Sequence, residues 1–278
     1  MQSILSYEFM QNALMAGIMA SIVCGVIGPF IVTKRMVFIS GGLTHAAFGG
    51  LGIAYWLGIR PIYGATVFVL CIAAILSRME SRTDKNDLFV GILWAVGVAI
   101  GIIFIHMTPG YAPDLMTFLF GNILTVPRSD IVIMLILTLA VVIPIVTCYK
   151  GFVSIALDEE YARARQLPVN ALNTGLMMLV ALAIVTLIQV VGIILVIALL
   201  TIPVAIAAEL SLIFRRIMLL SILCGIIICL TGLSLSYSLE VPSGASIIIT
   251  GAVFLGFVKS IRHLFSRRRS AAEGKKHP

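Results

Sequence analysis

Residues 172–214 read LNTGLMMLVALAIVTLIQVVGIILVIALLTIPVAIAAELSLIF, with Asn173, Gln189 and Glu209 as the strongly polar exceptions. A helix needs about 20 apolar residues to cross a bilayer core, so this stretch is too long for one crossing. The QVVG step at 189–192, followed by Pro203, offers places to turn or break. Comparable runs recur near 9–33, 38–58, 61–77, 88–107, 130–148, 172–194, 196–214, 217–236 and 244–262. They are continuous and not alternating, which predicts helices and excludes the strands of a membrane barrel. Only 11% of residues are charged, against about 25% in an average soluble domain, too few to clothe a water-soluble particle. The expected fold is all-α: a polytopic membrane helix bundle of eight or nine spans over 1–264, ending in a basic, unstructured tail at 265–278.

Charge placement supplies an orientation. Lys34, Arg35, Arg78, Arg82, Lys85, Lys150, Arg163, Arg165, Arg215, Arg216, Lys259 and Arg262 fall on one set of loops and helix ends, joined by Arg267, Arg268, Arg269, Lys275 and Lys276 of the tail. Arg60 and Arg128 fall on the other set. The positive-inside rule assigns the larger set to the cytoplasm, leaving the N-terminus outside and the C-terminus inside. That arrangement demands an odd number of crossings, so nine fits and eight would need one re-entrant segment. The net charge of +7 is then an orientation signal, and no nucleic-acid partner is expected. The first 30 residues lack a basic leader and a cleavage site, which predicts an uncleaved first helix.

Several chemistries are excluded by what the motifs lack. No G-x-x-x-x-G-K-[ST] occurs; in GAVFLGFVKS, at 251–260, the lysine is misplaced for a phosphate loop, so the chain is not expected to hydrolyse ATP. Neither H-E-x-x-H nor G-x-S-x-G is present. Cys24, Cys71, Cys148, Cys224 and Cys229 show no C-x-x-C spacing and read as small packing residues. The carboxylate relay of a proton-driven transporter is missing as well. Such a chain reads as a conduit powered from elsewhere.

One polar intrusion stands out. SGGLTHAAFGG, at 40–50, sets His45 among Gly41, Gly42, Gly49 and Gly50. Neutral imidazole is a good ligand for first-row transition metals, and one histidine per protomer near a twofold axis would give a loose, transient site. The alternative is a hydrogen bond to a neighbouring helix. The glycines, with Gly97 and Gly101 of GVAIG, predict close helix packing or gating, as does Pro203. Glu240, before VPSG, either lines an entrance or faces water. Asp114 either meets a partner outside or is solvated. His106 reads as interfacial, and Glu209 has no assigned role.

Among the loops, 149–173 carries structure of its own. ALDEEYARARQLP predicts a short amphipathic helix at about 157–167, with Asp158, Glu159 and Glu160 at its start and Arg163 and Arg165 at its end, matching the helix dipole. Pro168 stops it. Small residues such as Ala162 and Ala164 keep it thin enough to enter a partner's groove, unless it is simply a solvated surface helix.

From this loop the stretch LDEEYARARQLPVNALNTGLMMLVALAIVTLIQVVGIILVIALLTIPVAIA resembles the permease subunits of bacterial ABC importers for zinc, manganese or iron. KRMVFISGGLTHAAFGGLG (34–52), TPGYAPDLMTFLFGNILTV (108–126) and LSLSYSLEVPSGASIII (233–249) agree in the same order. The resemblance implies a chain in the bacterial cytoplasmic membrane that pairs with a second copy or a sibling permease. It implies two cytoplasmic ATPase subunits, which use the ATP, and an extracytoplasmic metal-binding protein, for which Asp114 is a docking candidate. No cofactor is bound by this chain; Zn²⁺, Mn²⁺ or Fe²⁺ is the cargo. The resemblance also makes Asp158, Glu159, Glu160, Ala162, Arg163 and Gln166 the ATPase-coupling residues, and puts His45 on or beside the ion path, with Glu240 a candidate at its entrance. Three departures are visible: Gly41 stands where the family often has an acidic residue, Gln166 where it commonly has glycine, and Asn122 ends a segment more usually closed by aspartate. Two rivals remain at this stage. A self-sufficient secondary transporter or channel would move metal without ATP, and a membrane scaffold or intramembrane enzyme would not move it at all.

Overall fold

The computed structural model describes residues 7–78, 84–109, 121 and 123–273, with side chains of 84–86, 189, 190, 194 and 263–273 left aside. Its elements are α1 (Glu8–Thr33), α2 (Val37–Trp56), α3 (Pro61–Leu76), α4 (Asp84–His106), a 3₁₀ turn (Ile123–Thr125), α5 (Arg128–Thr147), α6 (Tyr149–Leu157), α7 (Glu159–Ala164), α8 (Val169–Leu210), α9 (Phe214–Leu239) and α10 (Ser243–Glu273). No strand occurs among the described residues. Among the described residues eight stretches are long and apolar enough to cross a membrane: α1, α2, α5, α9, Asp87–His106 of α4, Ser243–Arg262 of α10, and both arms of α8, Val169–Ile188 and Val191–Leu210. At 16 residues α3 is shorter. The tail expected from 265 differs in part, since α10 continues to Glu273.

α8 reverses direction. Near its start, Asn173 accepts a hydrogen bond from Lys34 at the end of α1. Just beyond its other end, the Phe214 ring lies 4.8 Å from that of Phe30, which also meets Phe152 at 6.3 Å. Both ends therefore sit on the face that holds Lys34, and the turn lies between them. The non-helical residue is Gly192, with φ 75° and ψ 171°, a backbone region essentially restricted to glycine. The QVVG step is thus the break, and the two arms are separate spans. Counting α3, the chain has nine legs among the described residues. Glu8 pairs with Arg128 on one face, while Arg262 pairs with Glu209 on the Lys34 face, so α1 and α10 begin and end on opposite sides.

Close backbone approach organises the bundle around α2. A Cβ on Gly50 would lie 2.4 Å from the Gly64 carbonyl oxygen of α3, and one on Gly97 2.5 Å from the Ala46 Cα. Further along, a Cβ on Gly52 would lie 2.4 Å from the oxygen of Gly101, so α2 and α4 run parallel in contact. In hydrocarbon such contacts replace the missing hydrophobic drive with dispersion. α1 is the other pillar, with Ala13, Ala16, Val23, Ile27, Phe30 and Ile31 all essentially inaccessible.

Gly192→Ala should cost about 1–3 kcal/mol, because a methyl group there forces a strained backbone. Gly175, whose added Cβ would meet Phe152 at ordinary contact distance, is the control. Gly175→Ala should be neutral or stabilising by about 0.5–1 kcal/mol. Thermal unfolding in detergent checks both, and equal midpoints for the two variants would remove the reversal at Gly192.

Candidate functional site

His45 projects from α2 about 12 Å beyond that helix's first residue, at 1.5 Å per residue. The parallel register of α2 and α4 sets it against Trp94: the rings stack with centroids 4.0 Å apart and planes 12° from parallel. Stacking occupies the faces of the imidazole and leaves its nitrogen lone pair, which lies in the ring plane, directed elsewhere. Neither ring nitrogen bonds a described residue. Trp94 also walls an open groove of about 540 Å³ together with Val32, Arg35, Phe38, Gly41 and Ile197. Gly41 borders this groove opposite the α8 side chain: a Cβ there would lie 2.9 Å from Ile197 Cδ1, the mobile tip of that residue. Gly42 faces Val90 and Gly49 faces the Gly97 carbonyl in the same seam. Pro203 is buried farther along α8, in a wall shared with Gly225 and Gly251.

Other expected site residues lie apart. Glu240 is exposed at the end of α9 in a left-handed conformation (φ 53°), where the Val241 N–H donates to the Ser236 carbonyl. Glu209 pairs with Arg262, so the run that suggested burial ends in an ion pair at the Lys34 face. His106 is exposed at the end of α4, and Asp114 and Asn122 lie outside the described residues. No group of three or more His, Cys, Asp or Glu able to hold a metal ion is found among the described residues. A second cavity, of about 440 Å³, opens on the Glu8 face between Arg60, Ser129, Asp130 and the 185–188 end of the first α8 arm.

At the opposite face the expected helix at 157–167 is shorter and preceded by an elbow. α6 ends at Leu157, Asp158 is extended (φ −154°, ψ 108°), and α7 covers Glu159–Ala164. Asp158 caps α7 by accepting from the Glu160 and Tyr161 amides at 2.9 and 3.0 Å. That capping geometry needs a non-helical residue, which is why one continuous helix does not form. α7 closes with the Leu167 N–H bonded to the Ala162 carbonyl and the Gln166 N–H to that of Arg163. Gln166 adopts φ 57° in this closure, the left-handed position that favours glycine.

The two sides of α7 differ. Glu160, Tyr161, Arg163, Ala164, Arg165 and Gln166 are exposed, whereas Ala162 is fully buried and Glu159 turns inward. Lys34 Nζ donates to Glu159 Oε1 at 2.5 Å, to Asn173 Oδ1 at 3.0 Å and to the Ile155 carbonyl at 3.2 Å. Asn173 Nδ2 adds a bond to the same carboxylate oxygen at 3.3 Å. Burial by itself would raise the Glu159 pKa; the Lys34 hydrogen bond and charge, the Asn173 amide and the Arg163 charge outweigh it and hold the group below its ordinary 4.5. Sequence reasoning named Glu159 but not its partners. Lys34 was visible only as a loop charge, Asn173 as an isolated polar residue, and Trp94 as one of two tryptophans.

Residues 6–261 match the model of the ABC 3 transport family. The chain belongs to that family. A membrane protein of Synechocystis is 44% identical over 250 residues, covering 90% of this chain and 89% of its own. The manganese transport system membrane protein MntC of Listeria monocytogenes is 32% identical over 98% of this chain and 99% of its own length. The solved structure of PsaBC from Streptococcus pneumoniae in complex with Fab superposes with a TM-score of 0.83, at 33% identity and 92% coverage of each chain. As an ABC 3 member, the chain is a multi-pass membrane transport permease and not itself an enzyme.

Because the folded Glu159 pKa is depressed, its contribution to stability is complete above the ordinary value of 4.5 and is lost as pH falls through the lower folded value. Glu159→Gln should therefore lower the unfolding midpoint by a constant amount between about pH 7 and pH 5, and converge on the parent below that range. A deficit that persists unchanged into acid would remove the charged Lys34 bond.

Proposed function

We propose that this permease is the membrane-spanning subunit of an ATP-driven importer that carries a divalent transition-metal ion, manganese foremost, across the bacterial cytoplasmic membrane. The observation that carries the reading is the end-to-end match to a manganese transport system membrane protein. Charge supports the orientation: Lys34, Arg35, Arg163, Arg165, Arg215, Arg216 and Arg262 gather at the Lys34 face, against Arg60 and Arg128 at the other. The Lys34 face is then cytoplasmic. The exposed side of α7, with Tyr161 54% accessible between Glu160 and Arg163, is the coupling surface for a separate ATPase subunit.

The groove beside His45 and Trp94 forms half of the ion path, and a second permease copy or sibling supplies the other half. His45 serves there as a transient nitrogen ligand, loose enough for the ion to leave. The Glu8-face cavity, with Asp130, admits the ion from an extracytoplasmic metal-binding protein. Glu240, exposed at its helix end, belongs to that outer rim and not to the groove.

In proteoliposomes holding the complex with its ATPase subunit and delivery protein, His45→Ala should cut uptake of limiting manganese(II) about tenfold or more while subunit co-purification is unchanged. Competition with zinc(II) and iron(II) in the same vesicles ranks the cargo. Wild-type uptake by His45→Ala at every metal concentration would reduce His45 to packing.

A further inference from the structure

Lys34 lies immediately after α1 and is 13% exposed at its side chain, an unusual burial for a lysine at a membrane face. An ammonium has three N–H donors, and all three are used, each by a different element. The Ile155 carbonyl belongs to the last turn of α6, where helix carbonyls lack intrahelical partners. Glu159 begins α7, and Asn173 lies in the first turns of α8. The elbow at Asp158 leaves α6 and α7 without helical continuity, so Lys34 braces the joint from the side away from the coupling surface.

The helix that ends at Lys34 is buried along most of its length and reaches the opposite side of the bundle. There Asn12 Nδ2 donates to the Val126 carbonyl at 3.3 Å, and a Cβ on Gly17 would lie 3.6 Å from Ile123. Gly121, two residues earlier, packs so tightly on the α8 reversal that a Cβ would lie 2.2 Å from the Val191 carbonyl carbon. α1 therefore touches the coupling elbow at one end and the segment against Gly192 at the other.

We propose that Lys34 is the positioning residue that transmits movement of α7 into α1, and so couples ATP hydrolysis to opening of the ion path. This rests on α7 being the ATPase-coupling helix. Loss of Lys34 leaves Glu160, Tyr161, Arg163 and Arg165 presented to the partner, but separates their displacement from the bundle. The signature is uncoupling, not failed docking.

The test uses the complex with its ATPase subunit in proteoliposomes, with manganese(II) as cargo and uptake and ATP hydrolysis measured together. Lys34→Met should retain the ATPase subunit and hydrolyse ATP within about twofold of the parent, yet deliver about tenfold less metal per ATP. Lys34→Arg should keep most of the coupling. Lys34→Glu combined with Glu159→Lys should recover several-fold over Lys34→Glu alone. A parental metal-to-ATP ratio in Lys34→Met overturns the proposal, and so does loss of the ATPase subunit from that variant, which would make the residue a docking support. Should Lys34→Met fail to fold, the reversed pair decides: no recovery overturns it. A parent chain that retains no ATPase subunit would instead sink the coupling-helix reading, and this proposal with it.

Discussion

In hydrocarbon, two helices gain little by hiding apolar side chains from lipid, so how near their backbones can come decides whether they hold together. α2 depends on this constraint throughout. Gly42, Gly49, Gly50 and Gly52 remove the side chains that would hold α3 and α4 away, and Gly64, Gly97 and Gly101 do so from the other side. The register fixed by this seam is what presses His45 onto Trp94, the residue that walls the groove. The polar residue in the apolar chain and its small neighbours are thus one feature: the glycines place the imidazole.

The two functional faces are built on different physics. Around His45 the environment is apolar, with one aromatic wall against the imidazole face and the ring nitrogens left without a described partner. Around Lys34 it is a saturated polar knot at the membrane edge, where a partly buried charge persists because every donor has an acceptor. From that knot α1 runs to the segment packed against Gly192, through an interior whose close-packed side chains do not yield gradually.

Much of this was legible in the residues, for reasons of length and stereochemistry. A bilayer dictates span length, so the apolar runs announced the helices, and the double-length run at 172–214 had to break where glycine permitted it. The acidic start and basic end of 157–167 announced α7 because the helix dipole acts locally, whereas the elbow at Asp158 was not announced. What stayed hidden was long-range. Glu159 and Lys34 are separated by 125 positions, and no local pattern distinguishes a carboxylate that docks a partner from one that turns inward. Ala162 read as slimness toward a partner, and its methyl in fact packs against the bundle. Trp94 became relevant only through the parallel pairing of α2 with α4, and Glu209 only through Arg262.

The central claim is that this chain supplies a gated half-passage and none of the energy. It is tested most directly by manganese(II) flux into vesicles holding the permease with and without its ATPase subunit, under an imposed proton gradient or with ATP. Uphill uptake should require both the ATPase subunit and ATP, and should ignore the gradient. Uphill uptake by the permease alone, driven by protons, would contradict the account.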